Sequence, residues 1–190
     1  MKLKVSLFLI LAVASAGCVD IPDFDDTPKI YYNGIDQYTE TDTVSGKVQK
    51  TEYVTITVDF EDGDGDLGAS AEDLNSKDTT NNSFVKRYEK VPGWGLPANY
   101  ELVTMRMNKD SSWSETVLPG DTFKFFPILK PDGKPGPIKG KLDLVVNYRY
   151  LTSAVLSKLR FKVRIIDRAF HISNQIEIPV IDAVTVPVYE

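Results

Sequence analysis

The fold of this chain is indicated most clearly by the stretch Glu52-Tyr53-Val54-Thr55-Ile56-Thr57-Val58-Asp59-Phe60. Polar and apolar residues alternate strictly along it, which is the period of a β-strand that has one face on a core. The apolar set, which is expected to face that core, is Val54, Ile56, Val58 and Phe60. Asp59 then lies on the opposite face.

Further strands are predicted on both sides of this stretch. Runs rich in Val, Ile, Thr, Tyr and Phe indicate strands at 29–32, 100–108, 122–129, 141–150, 158–166, 175–181 and 184–188. Residues 152–158 are expected to form one helical turn, and no long amphipathic helix is predicted. Seven to eight short strands favour an all-β fold, an immunoglobulin-like antiparallel β-sandwich, with a closed barrel as the alternative.

The first residues have the pattern of a lipoprotein signal peptide. Lys2 and Lys4 precede an apolar run over residues 6–16, which is too short to span a bilayer as a mature helix. Small residues then precede Cys18, the single cysteine of the chain. They resemble a lipobox, although that family usually has Leu or Val at the position of Ser15. The resemblance implies cleavage before Cys18, lipidation of its thiol and stable retention on a membrane.

Three segments are therefore expected: a lipoprotein signal peptide at 1–17, an acidic tether at 18–28 and a β-sandwich domain at 29–190. The tether is acidic, contains proline and lacks periodicity, so it is predicted to be flexible. The net charge of −5 becomes more negative once Lys2 and Lys4 are removed. An acidic chain of this kind argues against nucleic acid as a partner and against broad binding to anionic lipid.

A candidate metal site lies at residues 59–68, at the end of the 52–60 strand. Its acidic side chains are Asp59, Glu61, Asp62, Asp64 and Asp66. Like charges this close repel each other, and a shared cation relieves the repulsion. Ca²⁺ suits such an oxygen-rich loop, whereas Mg²⁺ demands stricter geometry and Zn²⁺ prefers His or Cys. The sequence predicts a structural Ca²⁺ site, and a solvated Asp-Gly turn is the alternative.

The spacing of Asp62, Asp64 and Asp66 resembles the Asp-x-Asp-x-Asp calcium loop of EF-hands, with Asp73 at the twelfth position. Leu67 stands where that loop has glycine, and a strand rather than a helix precedes the loop, so the EF-hand fold is excluded. The same local chemistry on a β scaffold is similar to that of cadherin-like modules. Leu67 is expected to fold back onto the core.

A second motif, Asp-Arg-Ala-Phe-His-Ile-Ser-Asn, spans residues 167–174. Together with the acidic loop it resembles the uncharacterised immunoglobulin-like lipoproteins of Bacteroidetes, over residues 29–190. In a sandwich both loops can lie at one end, so Asp167 is expected to complete the metal shell. The alternative is a local cap or a salt bridge from Asp167 to Arg164 or Arg168.

Catalysis is not predicted, because the single histidine, His171, has no recognisable Ser or Cys nucleophile. Trp94 lies on a Gly/Pro loop, where it either contacts a ligand or folds inward as a satellite core residue. The predicted function is a non-enzymatic lipoprotein of the outer membrane, a binding or adhesion module that contacts an envelope protein or glycan. The alternatives are a metal-free accessory subunit of an outer-membrane complex and a small hydrolase.

Overall fold

The computed structural model describes residues 22–44, 46–75, 84–116, 121, 123–150 and 155–188. Within these residues the strands are β1 (Lys29–Val44), β2 (Lys47–Asp62), β3 (Tyr100–Met107), β4 (Trp113–Thr116), β5 (Ile138–Tyr150), β6 (Val155–Ile165), β7 (Ile176–Glu177) and β8 (Val184–Val188). The helices are α1 (Ala71–Asn75), α2 (Phe84–Glu89) and a 3₁₀ turn at Val180–Asp182. No helix among the described residues is long and apolar enough to cross a membrane.

The strands form two antiparallel sheets that pack against each other. The first sheet has the order β1-β2-β5, and the second has the order β4-β3-β6-β7, with β8 also paired to β6. The main core lies between them and includes Ile56 and Leu144 of the first sheet and Phe161 and Val163 of the second. This arrangement confirms the prediction of an all-β, antiparallel sandwich.

Strand β2 shows why the sequence folds this way. Its buried and half-buried positions alternate from Glu52 to Asp62, and Val54, Ile56 and Val58 are fully buried. This alternation follows from the pleat of a β-strand, because successive side chains point to opposite faces of the sheet. Burial of each such side chain stabilises the fold by roughly 1.5–3 kcal/mol.

Two predicted elements are wrong, and a third, the strand at 175–181, is formed only at Ile176–Glu177. The predicted strand at 122–129 is not formed over residues 123–129, where an isolated bridge joins Pro127 to Ala69. Phe126 instead donates its N–H to Asn99 Oδ1 and accepts a bond from Asn99 Nδ2, both at 2.9 Å. The predicted turn at 152–158 is also wrong over residues 155–158, which belong to β6 and pair with β8.

The last part of the predicted tether lies against the domain. The Gly63 N–H donates to the carbonyl oxygen of Asp25 at 2.9 Å, and Pro28 is buried. A Cβ atom on Gly63 would overlap the carbonyl oxygen of Phe24. Phe24 and Asp25 therefore contact the acidic loop, and the segment that ends at Pro28 is not a free linker.

Candidate metal centre

Asp62 is the last residue of β2, and its side chain points into the protein. It keeps the alternation of Val58 and Phe60, so its carboxylate lies on the core-facing side of the sheet and is fully buried. Its Oδ2 atom accepts a hydrogen bond from the Asp66 N–H at 3.2 Å. Its Oδ1 atom has no hydrogen-bond partner among the described residues. A buried carboxylate oxygen without a hydrogen-bond partner destabilises the folded state by about 1–3 kcal/mol or more.

The loop after Asp62 is held close to a second loop. Gly65 has φ +75°, and a Cβ atom there would overlap the carbonyl oxygen of Gly136. The Gly136 N–H also donates to the Asp64 carbonyl oxygen at 2.9 Å. Leu67 is fully buried in the main core, which confirms that it folds back onto the sheets. These contacts turn Asp66 back toward Asp62.

Asp167 follows strand β6 of the other sheet and is also fully buried. Its Oδ1 accepts a bond from the His171 backbone N–H at 2.7 Å, and its Oδ2 lies 2.9 Å from His171 Nδ1. The tight turn uses Phe170 in the left-handed region, with φ 73°. Of the alternatives to a metal ligand, the local cap forms through these bonds to His171, whereas the salt bridges do not form, since Arg168 pairs with Asp73 and Arg164 with Glu101.

Three of the six predicted metal ligands come together. One carboxylate oxygen from each of Asp62, Asp66 and Asp167 lies within 4.8 Å of the others. Asp62 closes a strand of the first sheet, whereas Asp167 follows a strand of the second. The cluster therefore joins the two sheets at one end of the sandwich.

The electrostatics of the cluster favour a proton or a cation. Burial, together with the charges of Asp64, Asp66 and Asp167, raises the pKa of Asp62 to about 7. Burial raises the pKa of Asp66 as well, with Asp64 adding to the effect. Burial also raises the pKa of Asp167 to about 6, although the His171 N–H opposes this shift. The two fully buried carboxylates and the half-buried Asp66 carboxylate cannot all ionise cheaply at neutral pH without a counter-charge.

The other three predicted ligands lie elsewhere. Asp59 and Glu61 lie on the outward face of β2, where Asp59 accepts a bond from Asn33 at 2.7 Å and Glu61 accepts one from Tyr31 at 2.7 Å. Their position follows from the same alternation that buries Asp62. Asp64 lies beside the cluster, and its Oδ1 accepts a 3.3 Å bond from the Asp66 N–H.

Arg168, which the sequence indicated only as a salt-bridge partner of Asp167, supports the loop from the other side. The Arg168 backbone N–H donates to Asp66 Oδ1 at 3.3 Å, and its guanidinium lies 2.5 Å from Asp73. Asp73 also accepts the Ser70 N–H, while its own N–H donates to the Ser70 hydroxyl, so the pair forms a capping box at the start of α1. Asp73 is thus a structural residue and lies outside the cluster. The Ser-x-x-Asp spacing of Ser70 and Asp73 is the sequence pattern that indicates this capping box.

Trp94 is buried in a second, smaller core with Tyr88 and Ile166. Its indole N–H donates to the Ala98 carbonyl oxygen at 2.9 Å, and the Arg164 guanidinium lies 5.0 Å from its ring. The structure therefore gives Trp94 the satellite-core position rather than an exposed ligand contact. Cys18, the predicted lipidation site, lies outside the described residues.

The carboxylate oxygens of Asp62, Asp66 and Asp167 are suitable ligands for a hard divalent cation. Three carboxylates can supply up to six oxygens, and Ca²⁺ takes roughly six to eight at flexible geometry. The unpartnered Oδ1 atom of Asp62 is the atom that most needs such a partner. Comparison with protein-family models, curated proteins and solved structures gives no match to this chain.

Proposed function

We propose that this chain is a non-enzymatic, lipid-anchored binding module of the outer membrane whose sandwich is stabilised by Ca²⁺. The observation that carries the metal assignment is the fully buried Asp62 carboxylate, which has an unpartnered oxygen within 4.8 Å of carboxylate oxygens of Asp66 and Asp167. A divalent cation would offset the charges of these three carboxylates, two of which are fully buried.

The ion has a structural role in this proposal. It binds carboxylates from both sheets, so unfolding separates ligands that the folded chain holds together. A ligand that binds only the folded state stabilises it, by about 2.7 kcal/mol when the free ligand is at a hundred times its Kd. Calcium therefore acts here as a clamp on one end of the sandwich.

A binding role is favoured over catalysis by the same geometry. His171 is held by Asp167 through both its backbone N–H and its Nδ1 atom, which orients the ring but supplies no nucleophile. The single cysteine, Cys18, is assigned to the lipid anchor. A β-sandwich with a tether is a suitable scaffold for presenting loops to an envelope protein or glycan.

Titration calorimetry on the purified chain tests the metal assignment. Calcium is expected to bind with measurable heat, and Asp62→Asn is expected to weaken binding by about tenfold or more. Asp59→Asn is the matched control, because Asp59 lies on the same strand but faces outward. Absence of heat with calcium, or equal weakening by both substitutions, would overturn the assignment.

Mass spectrometry of the chain purified from a bacterial membrane tests the anchor. The expected product begins at Cys18 and carries a diacylglycerol thioether. The Cys18→Ser variant should remain unprocessed at this position and lose the lipid mass. Recovery of an unmodified Cys18 in the mature chain would contradict the anchor without affecting the metal site.

A further inference from the structure

Strand β5 leaves one long backbone edge of the first sheet unpaired among the described residues. It pairs with β2 along its whole length, from Ile138 to Tyr150, without a bulge, and it pairs with no other described strand. No backbone group on its second edge bonds to another described segment. A row of free N–H and C=O groups of this length is a template for pairing with a further strand.

The other edges of the two sheets carry features that oppose further pairing. Strand β1 has a bulge between Tyr32 and Gly34, and the Asn174 side chain occupies the backbone N–H and C=O groups of Ile30. Strands β4 and β7 have four and two residues, and the short strand β8 contains Pro187. Short strands, bulges and proline all protect a sheet edge, and β5 has none of them. The buried residues of β5 are also uncharged, namely Leu142, Leu144, Val146 and Tyr148.

The exposed side chains of β5 are complementary to those of a second copy of this chain. In an antiparallel pair centred on Val146, Asp143 lies opposite Arg149 of the second copy, and the symmetry of the contact produces this pair twice. Val145, which is 47% exposed, then lies opposite Asn147. Arg149 is exposed and forms no ion pair within the described part of the chain, so its charge is available for such a contact.

Other registers of the same pair are less favourable. Moving the centre one residue toward the start of β5 places Lys141 opposite Arg149, and like charges directly opposite each other are destabilising. A centre on Leu142 pairs Lys141 with Asp143, but it brings Gly140 into the paired stretch, where glycine weakens a strand. The register that pairs Asp143 with Arg149 is therefore favoured.

The symmetry of this contact determines where the two N-terminal segments lie. Strand β5 begins beside Asp62 at the metal end, where Asp25 contacts Gly63. An antiparallel pair points the two metal ends in opposite directions and separates the two Ile138 residues by about 54 Å, at roughly 3.4 Å per residue. The chain from Cys18 to Asp25 spans at most about 25 Å. Both anchors reach one membrane only if the dimer lies flat on it, which the acidic charge of the chain opposes on anionic lipid.

We propose that the β5 edge is a homophilic contact, which pairs antiparallel with β5 of a second copy held on a facing membrane. The contact joins two three-stranded sheets into one sheet of six strands. It deepens the proposed binding role by naming a second copy of this chain as the partner. It rests on the proposed anchor only for the placement of the two copies on different membranes.

Sedimentation equilibrium of the purified chain tests the contact over roughly 1–500 µM, because an interface of this size lies at the weak end of protein–protein contacts. The parent chain is expected to dimerise as its concentration rises. Arg149→Asp and Asp143→Arg should each weaken the dimer by about tenfold or more, since each places like charges opposite each other twice. Lys139→Asp is the matched control, because Lys139 is exposed on β5 outside the paired stretch. A chain that stays monomeric, or equal weakening by the control, would overturn the proposal.

A mixture of the two charge variants tests the register. The Arg149→Asp chain carries two aspartates at the paired positions and the Asp143→Arg chain carries two arginines, so a mixed dimer has opposite charges at both pairs. The mixture is expected to dimerise as the parent chain does, although neither variant pairs with itself. Damage to the fold of either variant cannot produce this recovery. A mixture that associates as weakly as each variant alone would contradict the proposed contact.

Vesicle clustering tests the placement on facing membranes. Cys18 is the single cysteine, so a maleimide lipid attaches the chain at this residue whether or not the natural anchor forms. The turbidity of vesicles that carry the Arg149→Asp chain should rise only when vesicles that carry the Asp143→Arg chain are added. Absence of clustering by chains that dimerise in solution would overturn the facing-membrane arrangement. Because neither measurement needs calcium or natural lipidation, failure of the proposed function is distinguishable from failure of this contact.

Discussion

Asp62 ends a strand of one sheet and Asp167 follows a strand of the other, yet a carboxylate oxygen of each lies within 4.8 Å of the other. Both side chains are fully buried. This pairing makes the two sheets electrostatically dependent on each other at this end. Two ionised carboxylates this close oppose folding, and the proposed cation would join the two sheets.

Asp62→Asn should change stability in opposite directions with and without calcium. In chelator, the substitution removes a buried charge and is expected to stabilise the fold by about 1–3 kcal/mol. In calcium, it removes a ligand and is expected to abolish most of the stabilisation by the ion. Urea unfolding of the variant and the parent chain under both conditions measures the two effects.

Asp59→Asn is the control for this pair of measurements, because Asp59 faces outward and bonds to Asn33. It should shift stability by less than about 0.5 kcal/mol in either condition. A stabilising effect of Asp62→Asn in both conditions would contradict the metal site while leaving the buried-charge interpretation intact.

The sequence pattern predicts that Asp62 is buried, but it does not predict which residues contact the Asp62 carboxylate. The alternation that buries Val58 and Phe60 continues to residue 62, so periodicity alone places this carboxylate inward and Glu61 outward. The approach of Asp66 to the segment after β6 depends on how the sheets pack. Asp66 and Arg168 are 102 positions apart, and local patterns do not determine such a contact.

The length of β1 is a second feature that the sequence pattern does not predict. Only residues 29–32 are predicted as a strand, but β1 continues to Val44. Residues 36–43 are all exposed and rich in Thr, Asp and Glu, so they have no apolar alternation that would predict a strand. Their extended form follows from pairing with β2, a tertiary contact that local propensity does not reveal.

The stability of the calcium-free protein should fall as the pH rises through 6 to 7. The pKa values of Asp167 and Asp62 are raised by burial to about 6 and about 7, from an ordinary value of 3.8. The folded state therefore holds protons that the unfolded chain releases. This contribution is fully present below about pH 4 and is lost as the pH rises through the folded pKa values.

The pairing of His171 with Asp167 acts in the same direction, because the carboxylate raises the pKa of the imidazole against the opposing effect of burial. Unfolding in urea from pH 4.5 to 8 measures the sum, expected to be on the order of 2–4 kcal/mol. Saturating calcium should flatten the curve above pH 6, because the ion replaces the protons. A calcium-free stability that rises over this interval would contradict the burial of these carboxylates.

Gly63→Ala should loosen the N-terminal segment from the acidic loop. The added Cβ atom would lie 2.9 Å from the Asp25 carbonyl oxygen and overlap that of Phe24. The expected loss is about 1–3 kcal/mol, with faster proteolysis within residues 22–28. Gly34→Ala is the control, because nothing lies within 4 Å of its Cβ position and its φ is not positive. Equal proteolysis of the two variants would show that residues 24–28 are not docked.

The docking of residues 24–28 also predicts how the domain stands on a membrane. A lipid on Cys18 is separated from Asp25 by a span of at most about 25 Å, since an extended chain covers roughly 3.3–3.6 Å per residue. The metal end should therefore lie near the bilayer. Strand β2 has 16 residues and places the β1–β2 turn about 50 Å away, at the opposite end.

Energy transfer to a headgroup-labelled lipid in vesicles measures this orientation. A donor attached to Asp132→Cys, on the loop beside the metal cluster, should transfer strongly, whereas a donor on Lys47→Cys, beside the distal turn, should transfer weakly. In the proposed lipidated form Cys18 is a thioether and would not take the label. Stronger transfer from Lys47→Cys would mean that the sandwich stands inverted, and the distal hairpin rather than the metal end would then face the bilayer.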